Sequence, residues 1–435
     1  MSKKSCKKFE EDIDSSEVLE DDNKSIIMGL IAQLRKGTDL SRVTLPTFVL
    51  EPRSMLEKIT DFMSHPDLLV RASKTSDPTQ RFVEGVKKPY NPILGEFFRC
   101  EYNLKDGSKA MYISEQVSHH PPISAYYYSL PELGIFVTGE AHPKAKFLGN
   151  SAATVMKGYT RIVFSELNNE TFEISNPNVY ARGILFGKMI MEMGDQSTIK
   201  CKSLDLICEL DFKTKGYFSG QYHSVTGKIK RISTGDVLYE ISGVWTEELF
   251  IKGKVIRNWE SIESKTLIIY FLFCTLSQFL NLVLLCNQNS SKESFFNVSK
   301  HPVIAKSVEP LDDQEWNESR KLWSKVTAGL AAKDMDAATD EKTFIENRQR
   351  EETAVRQKEG LQWHPRFFNI NKHDEYEFKG VKGIDYKNLS QAKEHLEKHM
   401  FAHTPPAVSP TTSAETFINE QGQKTLISER KPIAA

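Results

Sequence analysis

The sequence predicts an α+β protein built on one large antiparallel sheet, closed as a barrel or layered as a sandwich, with helices gathered behind it. Three observations carry that prediction. Between residues 111 and 245, short apolar–polar alternations recur, and turn signals separate them: Asn168-Asn169, Gly194-Asp195 and Ser233-Thr234-Gly235-Asp236. Short strands with turns at regular intervals favour antiparallel pairing over a parallel α/β sheet. Residues 312–358 then change to a helical pattern with charged pairs four apart, the spacing that makes side chains neighbours on one helix face. A chain of 435 residues, 39% hydrophobic and with 25 phenylalanines, has apolar material for one large domain or two ordinary ones.

Residues 1–24 are polar and acidic with little to bury, so disorder is expected there. Residues 25–36 read as an amphipathic helix: Ile26, Ile27, Leu30, Ile31 and Leu34 share one face, and Gly37 ends it. A second helical pattern covers 56–69. Strands are expected over 111–117, 134–140, 159–165, 184–193, 204–212, 225–232 and 237–245. The stretch 253–297 breaks this rhythm. Its residues 266–286 are uncharged, mostly apolar and long enough to span a bilayer, although Ser277, Gln278 and Asn281 interrupt them. Within 312–358, Trp316, Leu322, Trp323, Val326 and Leu330 supply a packing face, 334–339 forms a break, and a second helix follows. On it Lys342, Glu346 and Arg350 recur every four residues and share a face; by pattern alone this is a solvated charge stripe. Residues 369–435 read as a mostly disordered tail, rich in Ser, Thr and Pro from 405.

Lys and Arg number 57 against 58 Asp and Glu. That balance speaks against nucleic acid, whose binders carry a basic excess. The six cysteines show no C-x-x-C spacing and no secretory signal is visible, so reduced thiols in a cytoplasmic setting are expected.

The stretch that organises the chain is Glu115-Gln116-Val117-Ser118-His119-His120-Pro121-Pro122. It follows a strand pattern, and two prolines are expected to end regular pairing because neither donates to a ladder. Adjacent histidines on a strand point to opposite faces, but a diproline bend can turn both toward one cavity. Metal binding, acid–base catalysis and anion binding by imidazole N–H groups are open readings, beside two histidines with purely structural partners. No helical i, i+4 histidine pair, nucleophile motif or acidic metal cluster surrounds them, so neither a metal nor a cofactor is expected.

This octet resembles the fingerprint of the oxysterol-binding protein-related family of lipid transfer proteins. Leu45-Pro46-Thr47-Phe48-Val49-Leu50-Glu51, Lys87-Lys88-Pro89-Tyr90-Asn91-Pro92-Ile93-Leu94-Gly95-Glu96, Lys146-Phe147-Leu148-Gly149-Asn150-Ser151 and residues 342–350 are similar to the family's motifs in the same order, across 26–368. Residues 177–183 and 213–220 look most like the fungal branch that exchanges phosphatidylserine for phosphatidylinositol 4-phosphate. The resemblance implies an incomplete antiparallel β-barrel enclosing a lipid tunnel over residues 25–368, with an N-terminal lid at 25–48 and C-terminal helices. It also implies a basic mouth where Lys88, Asn91, His119, His120, Lys342, Glu346 and Arg350 meet a phosphoinositide headgroup, and Glu346 orients Lys342 or Arg350 or accepts from an inositol hydroxyl. Leu40, Ser41, Arg42, Val43, Thr44 and Leu45 would touch acyl chains or phosphatidylserine, as would the region near Ala145. Similar sequences carry serine there, so Ala145 lacks a hydroxyl for that headgroup, and a sterol is the alternative cargo. The implied protein is no enzyme. It is a monomer, peripheral at contacts between endoplasmic reticulum and plasma membrane; a phosphoinositide phosphatase is the distant alternative.

Two departures accompany the resemblance. Only Glu84 and Gly85 bridge a gap where the family has a longer segment, and 253–297 has no counterpart in it. For the second, a translated intron is the leading reading, ahead of a membrane anchor at 266–286 and a buried or surface helix.

Overall fold

Alternation builds a long antiparallel sheet. In the computed structural model, which describes residues 38, 47, 50–63, 88–183, 190–216, 220–253, 293–297, 304–386, 388–401, 416–418 and 424–426, two short strands come first: β1 (Leu50–Ser54) and β2 (Lys88–Tyr90), paired in parallel. The large sheet follows as β3 (Phe97–Asn103), β4 (Lys109–His119), β5 (Pro122–Leu130), β6 (Ile135–Phe147), β7 (Ser151–Phe164), β8 (Glu170–Ile174), β9 (Asn178–Arg182), β10 (Ile190–Cys201), β11 (Leu206–Lys213), β12 (Ser224–Arg231), β13 (Val237–Val244) and β14 (Glu248–Gly253). Neighbours in sequence are neighbours in the sheet, with one local exception: β8 and β9 lie end to end between β7 and β10. β15 (Glu293–Asn297) and β16 (Lys306–Ser307) form the edges. The architecture is the expected α+β one, a large incomplete antiparallel barrel followed by helices.

One face of this sheet carries a continuous apolar cluster that reaches from Phe98 and Tyr112 through Ile162, Phe172 and Ile199 to Leu249 and Ile251. The other face of β3–β6 is buried as well. There Phe97, Met111, Ile113, Tyr127 and Phe136 pack against Phe367, Phe368, Phe378, Leu396 and Met400. In the run Tyr126-Tyr127-Tyr128, the outer two rings join the first cluster, while Tyr127 stacks on Phe378 with centroids 4.8 Å apart. Two buried faces erase the polar half of the alternation, which is why β3 and β5 were not legible as half-exposed strands.

That packing corrects the expectation of a disordered tail from 369. β17 (Phe368–Ile370) and β18 (Tyr376–Phe378) pair as a hairpin, and a helix spans Leu389–Phe401. Phe378, Leu396 and Met400 supply the anchoring side chains. The anchor extends to Arg99, 1% exposed, whose guanidinium donates to the Met400 carbonyl and to Glu318.

Further boundaries shift. The prolines of the octet do not end pairing: His119 is in register with Pro122, and β5 starts there after a turn containing a cis His120–Pro121 bond. The first residue of a strand is where a missing N–H is tolerated. β6 and β7 run far beyond the expected 134–140 and 159–165. The stretch 253–297, without a counterpart in the family, gives its last five residues to β15, paired with β14. Residues 266–286 and the shortened junction at 84–85 lie outside the described residues. Among those described, no helix is long and apolar enough to cross a membrane.

Helices α1 (Met55–Lys58), α2 (Ser319–Leu322), α3 (Ser324–Ala331), α4 (Met335–Glu359) and α5 (Leu389–Phe401) complete the fold. The expected break at 334–339 is shorter: Asp334 caps α4 by accepting from the Ala337 N–H, so the helix begins at Met335. Leu322, Trp323, Val326, Ala338 and Ile345 bury against Leu50, Tyr90 and Ile93. This packing sets α4 beside the turn that follows β2.

An ionic cluster ties α1 to α2. Glu57, 2% exposed, takes Arg320 at 2.7 Å and Lys306 at 3.2 Å. Burial alone would raise its pKa; Arg320, Lys306 and Arg53 outweigh burial and bring it down to about 2. A depressed carboxyl stabilises the fold fully above its unfolded value and loses that contribution as pH falls toward the folded one. Stability is therefore expected to decline by about 3 kcal/mol between roughly pH 4.5 and pH 2 through this group. Urea midpoints across that range should decline less steeply in Glu57→Gln, and an equal decline would sink the assignment.

Candidate functional site

Three segments meet where β4 ends. The first is the turn after β2. Its Gly95 N–H donates to the Gln116 carbonyl, and the Gln116 N–H donates to the Glu96 carbonyl, at 3.0 and 2.8 Å. Gly95 has a φ of +77°, and a Cβ there would lie 2.5 Å from Trp363 Cη2. Only glycine lets the turn pass beneath that ring. The second segment is the octet and the third is α4.

Parts of the octet hold the fold. The Glu115 carboxylate is buried and accepts the Arg366 and Phe367 N–H groups at 2.7 Å each. Burial raises its pKa to about 7, against the pull of those bonds and of Lys379 and Arg366. Gln116 donates to the Ser118 carbonyl and accepts from the Ser124 hydroxyl. Ser118 donates to the Pro121 carbonyl, closing the turn. These bonds leave His119 half-buried and His120 exposed, rings 4.4 Å apart and nearly edge to face.

His119 joins the three segments. Its Nδ1 lies 2.8 Å from the Gln349 amide nitrogen on α4, and its Nε2 lies 3.3 Å from the Asn91 amide nitrogen. Burial, then the charges of His120 and Arg350, lower its pKa to about 4. At neutral pH His119 is therefore a neutral ring with one N–H to offer.

On α4, Glu346 bridges the cationic pair, 2.9 Å from Lys342 Nζ and 3.4 Å from Arg350 Nη2. Arg350 also donates to Asn347. Lys342 is 12% exposed and Arg350 61%, so Lys342 is nearly enclosed while Arg350 reaches into solvent. The structure thus brings Asn91, His119 and His120 together and places Lys342, Glu346 and Arg350 on the helix that carries Gln349, with Arg350 near enough for its charge to act on His119. Lys88 is described only as a β2 backbone position. Residues 40–45 lie outside the described residues. Thr38 and Thr47, which bracket them, are fixed: the Thr38 carbonyl accepts the Phe147 N–H, and the Thr47 hydroxyl meets that of Thr339 at 2.9 Å. Ala145 sits in β6 opposite Thr154.

Sequence reasoning missed Gln349 and Glu96. Gln349 lies on the buried stripe of α4 with Ala338, Ile345 and Arg356, and a polar residue at core spacing was the available signal. Glu96 is fully buried, and among the described residues no cation pairs with it. It accepts from Ser54, Ser319, Trp323 Nε1 and the Ile93 N–H, and burial raises its pKa despite them. Among the described residues no group of three or more His, Cys, Asp or Glu side chains is placed to hold a metal ion.

Comparison with known proteins gives a consistent result. A sequence profile described as Oxysterol-binding protein matches residues 29–388. The chain is 43% identical over 386 residues to oxysterol-binding protein homolog C23B6.01c of Schizosaccharomyces pombe, covering 83% of this chain and 74% of that one. It is 38% identical over 418 residues to oxysterol-binding protein homolog 7 of Saccharomyces cerevisiae, covering 91% and 86%. The fold is that of the Osh1 ORD domain solved with ergosterol (TM-score 0.63, 22% identity, 84% and 88% covered). It is also similar to the Osh3 ORD solved with PI(4)P from Saccharomyces cerevisiae (TM-score 0.55, 21% identity, 85% and 92% covered).

Proposed function

The chain belongs to the oxysterol-binding protein family, and from that premise we propose that it exchanges phosphatidylserine against phosphatidylinositol 4-phosphate between membranes, without covalent chemistry. The observation that carries this reading is the meeting of three segments at His119, with Asn91 and Gln349 within hydrogen-bond reach of its ring and His120 against it, while Lys342, Glu346 and Arg350 lie in a chain of ion pairs along the helix that carries Gln349. A phosphomonoester carries close to two negative charges and three strong acceptors, which suit cationic and N–H donors from three directions. Lys88 would join them. Glu346, between two cations, holds them apart at a fixed spacing and is free to accept from an inositol hydroxyl.

The apolar face of the barrel supplies the other half. Moving a diacyl lipid through water exposes about thirty methylenes, at about 0.8 kcal/mol each an unfavourable cost of order 20 kcal/mol. A tunnel lined by the large apolar cluster, with residues 25–48 as its lid and 40–45 against the cargo, offsets most of that cost. Two lipids competing for one tunnel let a gradient of the tighter one drive transport of the other. A monomer of this kind, with a lipid-binding domain over 25–368, needs no catalytic residue and works peripherally at contacts between endoplasmic reticulum and plasma membrane. Ala145 favours a second reading, sterol in place of phosphatidylserine, because that position carries no hydroxyl for the serine headgroup; the Osh1 ORD structure holds ergosterol.

Native mass spectrometry of the purified chain after incubation with mixed liposomes tests the proposal. Bound phosphatidylserine displaced by phosphatidylinositol 4-phosphate is the expected result. Bound sterol would replace the second cargo, and a folded chain with no bound lipid would overturn the transfer reading.

A further inference from the structure

We infer that Gln349 is a positioning residue: anchored on the Leu94 N–H, it fixes the tautomer of His119 so that Nε2 carries the proton and presents it toward Asn91. The purpose of this arrangement rests on the headgroup reading above; its geometry does not.

Gln349 is 6% exposed, and its Oε1 lies 3.0 Å from the Leu94 amide nitrogen. A backbone N–H can only donate, so the atom facing it is the carboxamide oxygen. That assigns the other end of the side chain as NH₂, which lies 2.8 Å from His119 Nδ1. An NH₂ group also can only donate. Nδ1 therefore holds its lone pair toward Gln349, and in the neutral ring the proton resides on Nε2. The Asn91 carboxamide, whose nitrogen is placed 3.3 Å from Nε2, answers that proton only when turned end for end, with its oxygen toward the ring, an exchange that leaves the shape of the group unchanged.

Two consequences follow. An incoming oxyanion competes with Asn91 for a donor already aimed, and it gains a directed hydrogen bond without first protonating a half-buried ring. The same tautomer leaves Nε2 without a lone pair, so this nitrogen is set for anions and not for metal ions. The relay spans the turn, α4 and β4, so any shift of α4 would be felt at the His119 proton.

The test uses the full chain labelled with ¹⁵N-histidine. Long-range ¹⁵N–¹H correlation spectra at neutral pH are expected to show the Nε2–H tautomer for His119, assigned by its loss in His119→Ala. Gln349→Glu keeps an acceptor for the Leu94 N–H but turns an acceptor toward Nδ1. A proton is expected to appear on Nδ1, with the melting temperature close to that of the wild type. Gln349→Met removes both bonds and is expected to weaken binding of short-chain phosphatidylinositol 4-phosphate about tenfold. An Nδ1–H pattern in the wild type, or an unchanged spectrum in Gln349→Glu, would overturn the inference. The expected spectra without phosphoinositide binding by any variant would leave the positioning role standing and defeat the headgroup reading instead.

Discussion

Replacing His119 and His120 together with alanine is expected to weaken phosphatidylinositol 4-phosphate extraction at least ~100-fold while the chain stays folded. Two hydrogen bonds to a charged phosphate are removed, each contributing about 1.5–3 kcal/mol. Since about 1.4 kcal/mol is tenfold in affinity, their joint loss falls between roughly 100- and 10,000-fold. The fold should survive because the structural bonds of the octet belong to Glu115, Gln116 and Ser118, whereas His119 and His120 are half-buried and exposed. The measurement is extraction from liposomes followed by a headgroup-specific fluorescent probe, paired with a urea titration. Extraction at the wild-type rate would remove both histidines from the headgroup site. Should the double variant unfold, His120→Ala alone separates the effects, since the exposed ring makes little packing contact.

The second large effect concerns stability. Glu96→Leu is expected to cost about 3–5 kcal/mol, read as a lower urea midpoint. Leucine fills a similar volume but accepts nothing, so the Ile93 N–H and Trp323 Nε1–H, bound at 3.1 and 2.9 Å, lose their partner in a buried place. The Ser319 hydroxyl has the Phe97 carbonyl at 3.2 Å to turn to, which limits the loss. Glu96→Gln keeps one acceptor oxygen and should cost about 1 kcal/mol. That contrast decides whether Glu96 acts through acceptor capacity or through charge. If the glutamine variant were as unstable as the leucine one, the charge itself would be what Ser54, Ser319 and Trp323 require. A local consequence is also expected: Glu96 joins the turn to α2 and α3, so losing it loosens the strut that holds Asn91 near His119.

Much of this was legible in the sequence. The period-two runs from 111 to 245 exposed the antiparallel sheet, since alternation with turns at short intervals has few other solutions. The octet and the turn 87–96 marked where the candidate site lies. Strands β3 and β5 were not legible, because the hairpin β17–β18 and helix α5 bury their second face, and α5 hid in a stretch whose composition reads as tail. The short β8 and β9 were missed for another reason: each is only five residues long, too brief for periodicity to register.

For the site itself, it was the family resemblance of the motifs that implied that two histidines at a strand end, an asparagine in a turn and a charged helical stripe belong together; by pattern alone the stripe reads as a solvated face. The tertiary structure decided what those residues are chemically. Whether His119 is charged depends on burial and on Arg350, which is 231 residues away in sequence (350 − 119). Which ring nitrogen holds its proton depends on Gln349, and Gln349 is oriented by Leu94 from a third segment. Solvent access and long-range hydrogen bonds set those properties, and neither is a function of local sequence pattern.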